Sequence, residues 1–177
     1  GGIIALGLDP DDKLIAVHIT DGQREILIGT RRGITIRFRE DDVRPMGRTA
    51  YGVKGITLEE GDHVIGMETI TPDSTTAILT VTEGGYGKRT PVTEYRVQGR
   101  GGKGIISVKT TERNGLAVGF LQVRDGDQVM VMAAHGKVLR CRVDDIREIG
   151  RNTQGVRLLE REGGDDRGVI VAGLADS

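Results

Sequence analysis

Three arginines, Arg37, Arg89 and Arg140, stand 52 and 51 residues apart, and three more, Arg48, Arg100 and Arg151, keep the same intervals. Each of the second set follows a glycine, as Gly47-Arg48, Gly99-Arg100 and Gly150-Arg151. Around Arg100 the sequence runs Gln98-Gly99-Arg100-Gly101-Gly102-Lys103-Gly104. Evenly spaced cations can meet an evenly spaced polyanion. A glycine-rich loop can bring backbone N–H groups close to a phosphate while Gln98, Arg100 and Lys103 add polar and charged contacts. The chemistry on offer is non-covalent anion binding. A plainer reading stands beside it: a glycine-rich connector between repeats, with solvated charges.

Other chemistries find no constellation in the sequence. Lys103 is followed by Gly104 rather than Ser or Thr, and no nucleotide-binding P-loop pattern occurs elsewhere. His18, His63 and His135 are scattered without metal-ligand spacing, and His135 reads as a turn residue. Asp9-Pro10-Asp11-Asp12 lacks the glycine and closing glutamate of a calcium loop. Ser74, Ser107 and Ser177 lie in no nucleophile elbow. Cys141 is the single cysteine, which excludes an intrachain disulfide or a cysteine zinc cluster and favours a reducing compartment.

The elements that must position the arginines repeat with them. Gly33-Ile34-Thr35-Ile36-Arg37 aligns with Gly85-Tyr86-Gly87-Lys88-Arg89 and with Gly136-Lys137-Val138-Leu139-Arg140. In the same register follow Asp42, Glu94 and Asp145, then Val43, Tyr95 and Ile146, and finally Gly52-Val53, Gly104-Ile105 and Gly155-Val156. The repeat divides the chain into units of about 2–51, 52–103, 104–154 and a partial unit 155–177 within a single partial domain. Short alternating or continuous apolar runs separated by glycine turns make the units all-β. Arg32-Gly33, Gly84-Gly85 and His135-Gly136 read as hairpin tips, where glycine supplies the positive φ of a tight turn.

Strand parity puts Ile34, Ile36 and Phe38 on one face and Arg37 and Arg39 on the other. Leu139, Cys141 and Val143 oppose Arg140 and Arg142 in the same way. The second unit departs from the pattern, with Lys88 in the core-facing slot and Pro91 in the strand, which argues for a sheet edge. About 50 residues per unit with several short strands each predicts a propeller-like array. Open sheet edges are expected near residues 3–6 and 169–174.

Composition agrees with a folded repeat and removes other classes. Glycine accounts for 28 of 177 residues against only four prolines, so the excess is neither collagen nor linker. Tryptophan is absent and aromatics are 3 %, which speaks against a base-stacking platform. The net charge of −1 excludes a uniformly basic nucleic-acid binder but not a basic stripe balanced by acidic loops. No apolar run reaches membrane-spanning length and no signal sequence is present. The chain opens Gly1-Gly2 without a methionine and reads as part of something longer.

The run Gly85-Tyr86-Gly87-Lys88-Arg89-Thr90 followed by Glu94-Tyr95 resembles the C-terminal domain of the DNA gyrase A subunit. So do Thr111-Glu112-Arg113-Asn114-Gly115-Leu116 and Gly150-Arg151-Asn152-Thr153-Gln154-Gly155-Val156. The resemblance covers the whole chain. It implies a propeller-like β-pinwheel that exchanges strands between neighbouring blades, here about three and a half blades of a six-bladed array. It also implies a non-catalytic module that binds and wraps double-stranded DNA on a basic rim.

The family's signature box reads Q-[RK]-R-G-G-K-G and belongs to its first blade. Residues 98–104 differ by Gly99 and lie late in the repeat. On this resemblance the expected DNA contacts are Gln98, Arg100, Lys103, Arg37, Arg89, Arg140, Arg48 and Arg151. No catalytic residue, metal or cofactor is expected in this chain. ATP and magnesium would act on other domains of a parent ATP-dependent type II topoisomerase that supercoils DNA negatively. Its implied partners are the gyrase B subunit together with the rest of the gyrase A subunit, in the cytoplasm and on the chromosome, with no membrane. The alternatives are the C-terminal domain of the topoisomerase IV A subunit, or a protein-interaction propeller with no DNA role.

Overall fold

The computed structural model describes residues 3–8, 15–18, 23–42, 53–134, 136–158 and 169–175. Fourteen strands run through them. They are β1 (Ile3–Leu8), β2 (Ile15–His18), β3 (Glu25–Thr30), β4 (Ile34–Arg39), β5 (Val53–Ile56), β6 (Val64–Ile70) and β7 (Ala77–Thr82). After these come β8 (Tyr86–Pro91), β9 (Ile105–Ile106), β10 (Ala117–Val123), β11 (Gln128–Ala133), β12 (Val138–Arg142), β13 (Val156–Arg157) and β14 (Val169–Leu174). Among the described residues there is no α-helix, only three single 3-10 turns, and the all-β expectation holds.

Three hairpins form the frame. In β3–β4, β7–β8 and β11–β12 the tip glycines Gly33, Gly85 and Gly136 take φ of +83°, +86° and +94°. Each donates its N–H to the carbonyl three residues earlier, on Thr30, Thr82 and Ala133. A side chain with a Cβ would be strained in that conformation, so glycine at the three tips determines where each hairpin turns.

Strands from later repeats complete the first two hairpins. The first complete sheet has the order β6-β3-β4-β9 and the second β10-β7-β8-β13. The two-residue strands β9 and β13 reach back past the intervening hairpin to the one before it, with Ile106 opposite Ile34 and Arg157 opposite Tyr86. Their approach repeats atom for atom. Gln98 donates its N–H to Arg37 O and Ile149 to Arg89 O, both at 2.8 Å. Further along, Ser107 donates to Gly33 O and Leu158 to Gly85 O, both at 2.7 Å. Strands are therefore exchanged between blades, as in a pinwheel. The third sheet, β12-β11-β14, has β12 at its outer edge.

The first sheet, β2-β1-β5, is built differently. β1 pairs antiparallel with β2 and parallel with β5. In the complete blades two antiparallel strands separate the flanking pair. A single strand between flanking strands of opposite direction has to run parallel to one of them. Of the open edges expected at residues 3–6 and 169–174, the second is found and the first is not. β1 has a neighbour on each side, whereas β14 pairs with β11 alone, so among the described residues β12 and β14 are the two outer edges of the third sheet.

The core is divided among the blades. One cluster gathers Ile26, Ile28, Ile36, Phe38 and Ile56. A second joins Leu27 and Ile70 to Ile78, Val92, Tyr95 and Phe120 across two sheets. A third joins Leu79 and Val81 to Val129, Val131, Val143, Ile146 and Val169. Both faces of β3 and of β7 are buried throughout. Blades stack face to face, so the polar face that parity assigns to a strand need not meet solvent.

Pro91 also finds its place. It ends β8 opposite Ala77, beyond the two residues paired with β13, so its missing N–H interrupts no ladder.

Candidate nucleic-acid interface

Arg37 lies on the expected face of β4, but that face is packed against the next blade. The residue is only 6 % exposed. Its Nε and Nη2 donate to the two carboxylate oxygens of Glu25 at 2.6 and 3.1 Å, and Nη1 donates to Val92 O at 2.7 Å and Tyr95 O at 3.0 Å. This corrects the expectation of a rim contact: Arg37 ties one blade to the connector of the next and faces no solvent in which DNA could lie. Alternation along the strand identified its face correctly and could not reveal what covers that face.

Arg89 repeats the arrangement. Its Nε donates to Ile146 O at 2.7 Å, the equivalent of Tyr95, and its Nη1 lies 3.5 Å from Asp125 Oδ1. Its side chain is 14 % exposed, so Arg89 is half-buried in an interblade tie of the same kind. Arg140 occupies the same place on β12 but is exposed, with Nε donating to Gln128 Oε1. Arg48 and His135 lie outside the described residues.

The Gly-Arg pairs form a second recurring tie. Arg100 Nε donates to Asp42 O at 2.9 Å, and Arg151 Nε donates to Glu94 O at 3.0 Å. Arg151 is drawn in further, with Nη1 bonded to Ile106 O at 2.9 Å and its own N–H bonded to Glu94 Oε1 at 3.2 Å. Arg100 and Lys103 are exposed, whereas Arg151 is half-buried. Lys103 and Arg151 line one cleft together with Asn152, Glu59, Ile34 and Ile56.

Residues 98–104 act as a connector and also display charge. Gly101 donates its N–H to Gly55 O at 2.8 Å, and Gly102 O accepts from the N–H of Thr57 at 2.8 Å. The backbone is thus docked on 55–57, and the Gly101 N–H is committed rather than open to an anion. Gln98 is half-buried beneath the loop, and its Nε2 has no partner among the described residues. Arg100 and Lys103 remain on the outside.

Lys88 is fully buried, and its ammonium group bridges two connectors. Nζ donates to Ser107 O at 2.6 Å, Gly150 O at 2.8 Å and Thr153 Oγ1 at 2.8 Å. In the equivalent slots stand Ile36 and Leu139. Lys88 therefore holds the loop that carries Arg151. Burial lowers its pKa to about 8, with Arg151 adding to the effect and Glu94 opposing it.

Sequence reasoning missed two other cations. Arg113 and Arg157 are both exposed, and both donate to the hydroxyl of Tyr86. Repetition gave no signal for them, because Tyr86 has Ile34 and Lys137 as its equivalents.

Hairpins completed by strands from later repeats, with arginines clasping each blade to the next connector, define a β-propeller-like repeat of the strand-exchanging kind. The family described as DNA gyrase C-terminal domain, beta-propeller, matches residues 1–21, 24–71, 76–124 and 127–175, and the chain belongs to that family. It is 50 % identical to the DNA gyrase A subunit of Haloquadratum walsbyi over 164 residues, covering 93 % of this chain and 19 % of that protein. It is likewise 50 % identical to the DNA gyrase A subunit of Staphylococcus aureus over 166 residues, covering 94 % of this chain and 18 % of that protein. The chain thus spans about a fifth of the length of the relatives it matches.

Among solved structures, the C-terminal domain of DNA topoisomerase IV superposes with a TM-score of 0.82 at 29 % identity, over 96 % of this chain and 53 % of that one. The DNA gyrase A C-terminal domain superposes with a TM-score of 0.77 at 23 % identity, over 96 % of this chain and 56 % of that one. Among the described residues no helix is long and apolar enough to cross a membrane.

Proposed function

We propose that this chain is a non-catalytic module of a gyrase A subunit that binds double-stranded DNA and bends it around its blades. The observation that carries the reading is the half-identity to the DNA gyrase A subunits of two organisms across nearly the whole chain. Exposed cations on the connectors and blades, Arg100, Lys103 and Arg140 among them, supply the chemistry. Contacts of this kind go to phosphates, release counterions and carry no sequence preference of their own. In this reading the partners are the B subunit of gyrase together with the rest of its A subunit. ATP and magnesium act on those other parts, in the cytoplasm and on the chromosome. Among the described residues no group of three His, Cys, Asp or Glu side chains is placed to hold a metal ion. The gyrase family model and the 50 % identity to gyrase A subunits favour the gyrase assignment.

The test is a gel shift at two salt concentrations, with one duplex of about 100 base pairs, long enough to bend, and one of about 20. The longer duplex should bind more tightly. Its log–log salt slope should be about −0.9 per phosphate contacted. Replacing Arg100 and Lys103 by alanine should lower that slope by about 2 in magnitude, with the circular dichroism spectrum unchanged. Absence of binding to either duplex would favour a propeller that recognises protein.

A further inference from the structure

Tyr86 opens β8 next to the second hairpin tip and is 5 % exposed. Two arginines, one from a loop and one from β13, converge on its hydroxyl. Arg113 Nε donates to Tyr86 Oη at 2.7 Å, and Arg157 Nη2 donates to the same oxygen at 2.9 Å. Both guanidinium groups also lie against the ring, with Cζ 5.6 Å and 5.0 Å from its centroid. Two cations are therefore held side by side on one neutral phenol.

That arrangement carries a cost. Like charges at this separation repel, and a phenol oxygen orients them without neutralising them. Arg37, by contrast, is held by the carboxylate of Glu25. Among the described residues neither Arg113 nor Arg157 has a carboxylate partner. The hydrogen bond from Arg157, with a further bond and charge from Arg113, draws the Tyr86 hydroxyl below the usual phenol range against the opposing effect of burial. Among the described residues, no carboxylate in contact offsets the two charges. Each guanidinium has five N–H donors, and one on each is spent on Tyr86. The remaining donors stand on exposed side chains.

We propose that Arg113 and Arg157, aligned by Tyr86, form a binding site for a backbone phosphodiester of nucleic acid. The planar donor forks suit phosphate oxygens, and an anion between them would relieve the repulsion. The site rests on the DNA-binding reading and adds to it a fixed anchor on one blade, distinct from the recurring Gly-Arg ties. Arg157 belongs to β13, the strand that completes this blade, so the anchor assembles only when the blade is closed.

The experiment has two arms. In the first, a dinucleotide with a single phosphodiester is titrated into the protein while the Nε–H resonances of Arg113 and Arg157 and the ring of Tyr86 are followed by NMR. Saturable shifts are expected, and they should vanish in the Arg113→Gln/Arg157→Gln variant. In the second, the salt slope is measured with a duplex of about 100 base pairs; the double variant should lose about 2 from its magnitude. Tyr86→Phe keeps the ring and both charges but removes the shared acceptor, and it should weaken binding several-fold with the fold intact.

If the wild type binds duplex while the double variant keeps the full slope and the dinucleotide shifts nothing, the anchor is overturned and the DNA reading stands. If the wild type binds no duplex but the dinucleotide still shifts both Nε–H signals, the DNA reading falls and the phosphodiester site survives. No duplex binding and no shifts overturn both.

Discussion

Arg37 Nη1 donates to the backbone carbonyl of Tyr95 at 3.0 Å, and one repeat later Arg89 Nε donates to the carbonyl of Ile146, the equivalent residue, at 2.7 Å. Two of the three recurring hairpin-strand arginines therefore join a blade to the next, whereas Arg140 is exposed. Regular spacing, which in sequence suits a polyanion, here serves the regular geometry of the repeat.

Removing the Arg37 side chain should be expensive for stability and neutral for DNA. Arg37→Ala would leave Glu25 buried without its cation and would remove the guanidinium donor from the Val92 and Tyr95 carbonyls, of which Val92 O keeps the N–H of Tyr95. Breaking one side of a buried pair costs about 3–5 kcal/mol. Urea denaturation should show that loss, and the affinity of the protein that remains folded for duplex DNA should not change. A loss of DNA affinity at full stability would return Arg37 to the interface.

Lys88 makes stability depend on pH in a defined direction. Its folded pKa is about 8 against an ordinary 10.5. Between those values the unfolded chain holds a proton that the folded one lacks, so stability rises with pH across that window, at no more than about 1.4 kcal/mol per pH unit. Tyr95, pushed up to about 12 chiefly by burial, acts in the opposite sense above pH 10, so denaturation should be followed between pH 8 and 10. In Lys88→Met this rise should disappear. An unchanged rise in the variant would mean that another group is responsible.

The third sheet presents apolar surface beside its outer strand. Met130, Met132 and Val138 are 41 %, 39 % and 45 % exposed, whereas Leu27 and Leu79, which correspond to Met130, are fully buried under the next blade. This face and the β12 edge are expected to drive concentration-dependent self-association. Light scattering over a range of protein concentrations should detect it, and Met132→Lys/Val138→Lys should suppress it. A wild type that stays monomeric throughout would show that the face is not sticky.

Much of this protein was legible in the amino-acid order. Glycines at 33, 85 and 136 marked the three hairpin tips because positive φ is a local requirement that glycine meets at no steric cost. The all-β class followed from short apolar runs between such turns. Parity along β4 and β12 separated faces correctly, since side chains alternate by backbone geometry alone. Exposure was decided elsewhere. Whether Arg37 meets water or a neighbouring blade depends on how sheets stack, and its partners there, Val92 and Tyr95, lie 55 and 58 positions away. The same holds for Lys88, whose three acceptors come from residues 107, 150 and 153. The convergence of Arg113 and Arg157 on Tyr86 likewise spans 27 and 71 residues of chain. A repeat in sequence records which positions share a backbone environment. Only the packed blades determine which of those positions are spent on holding the blades together and which remain free to bind something else.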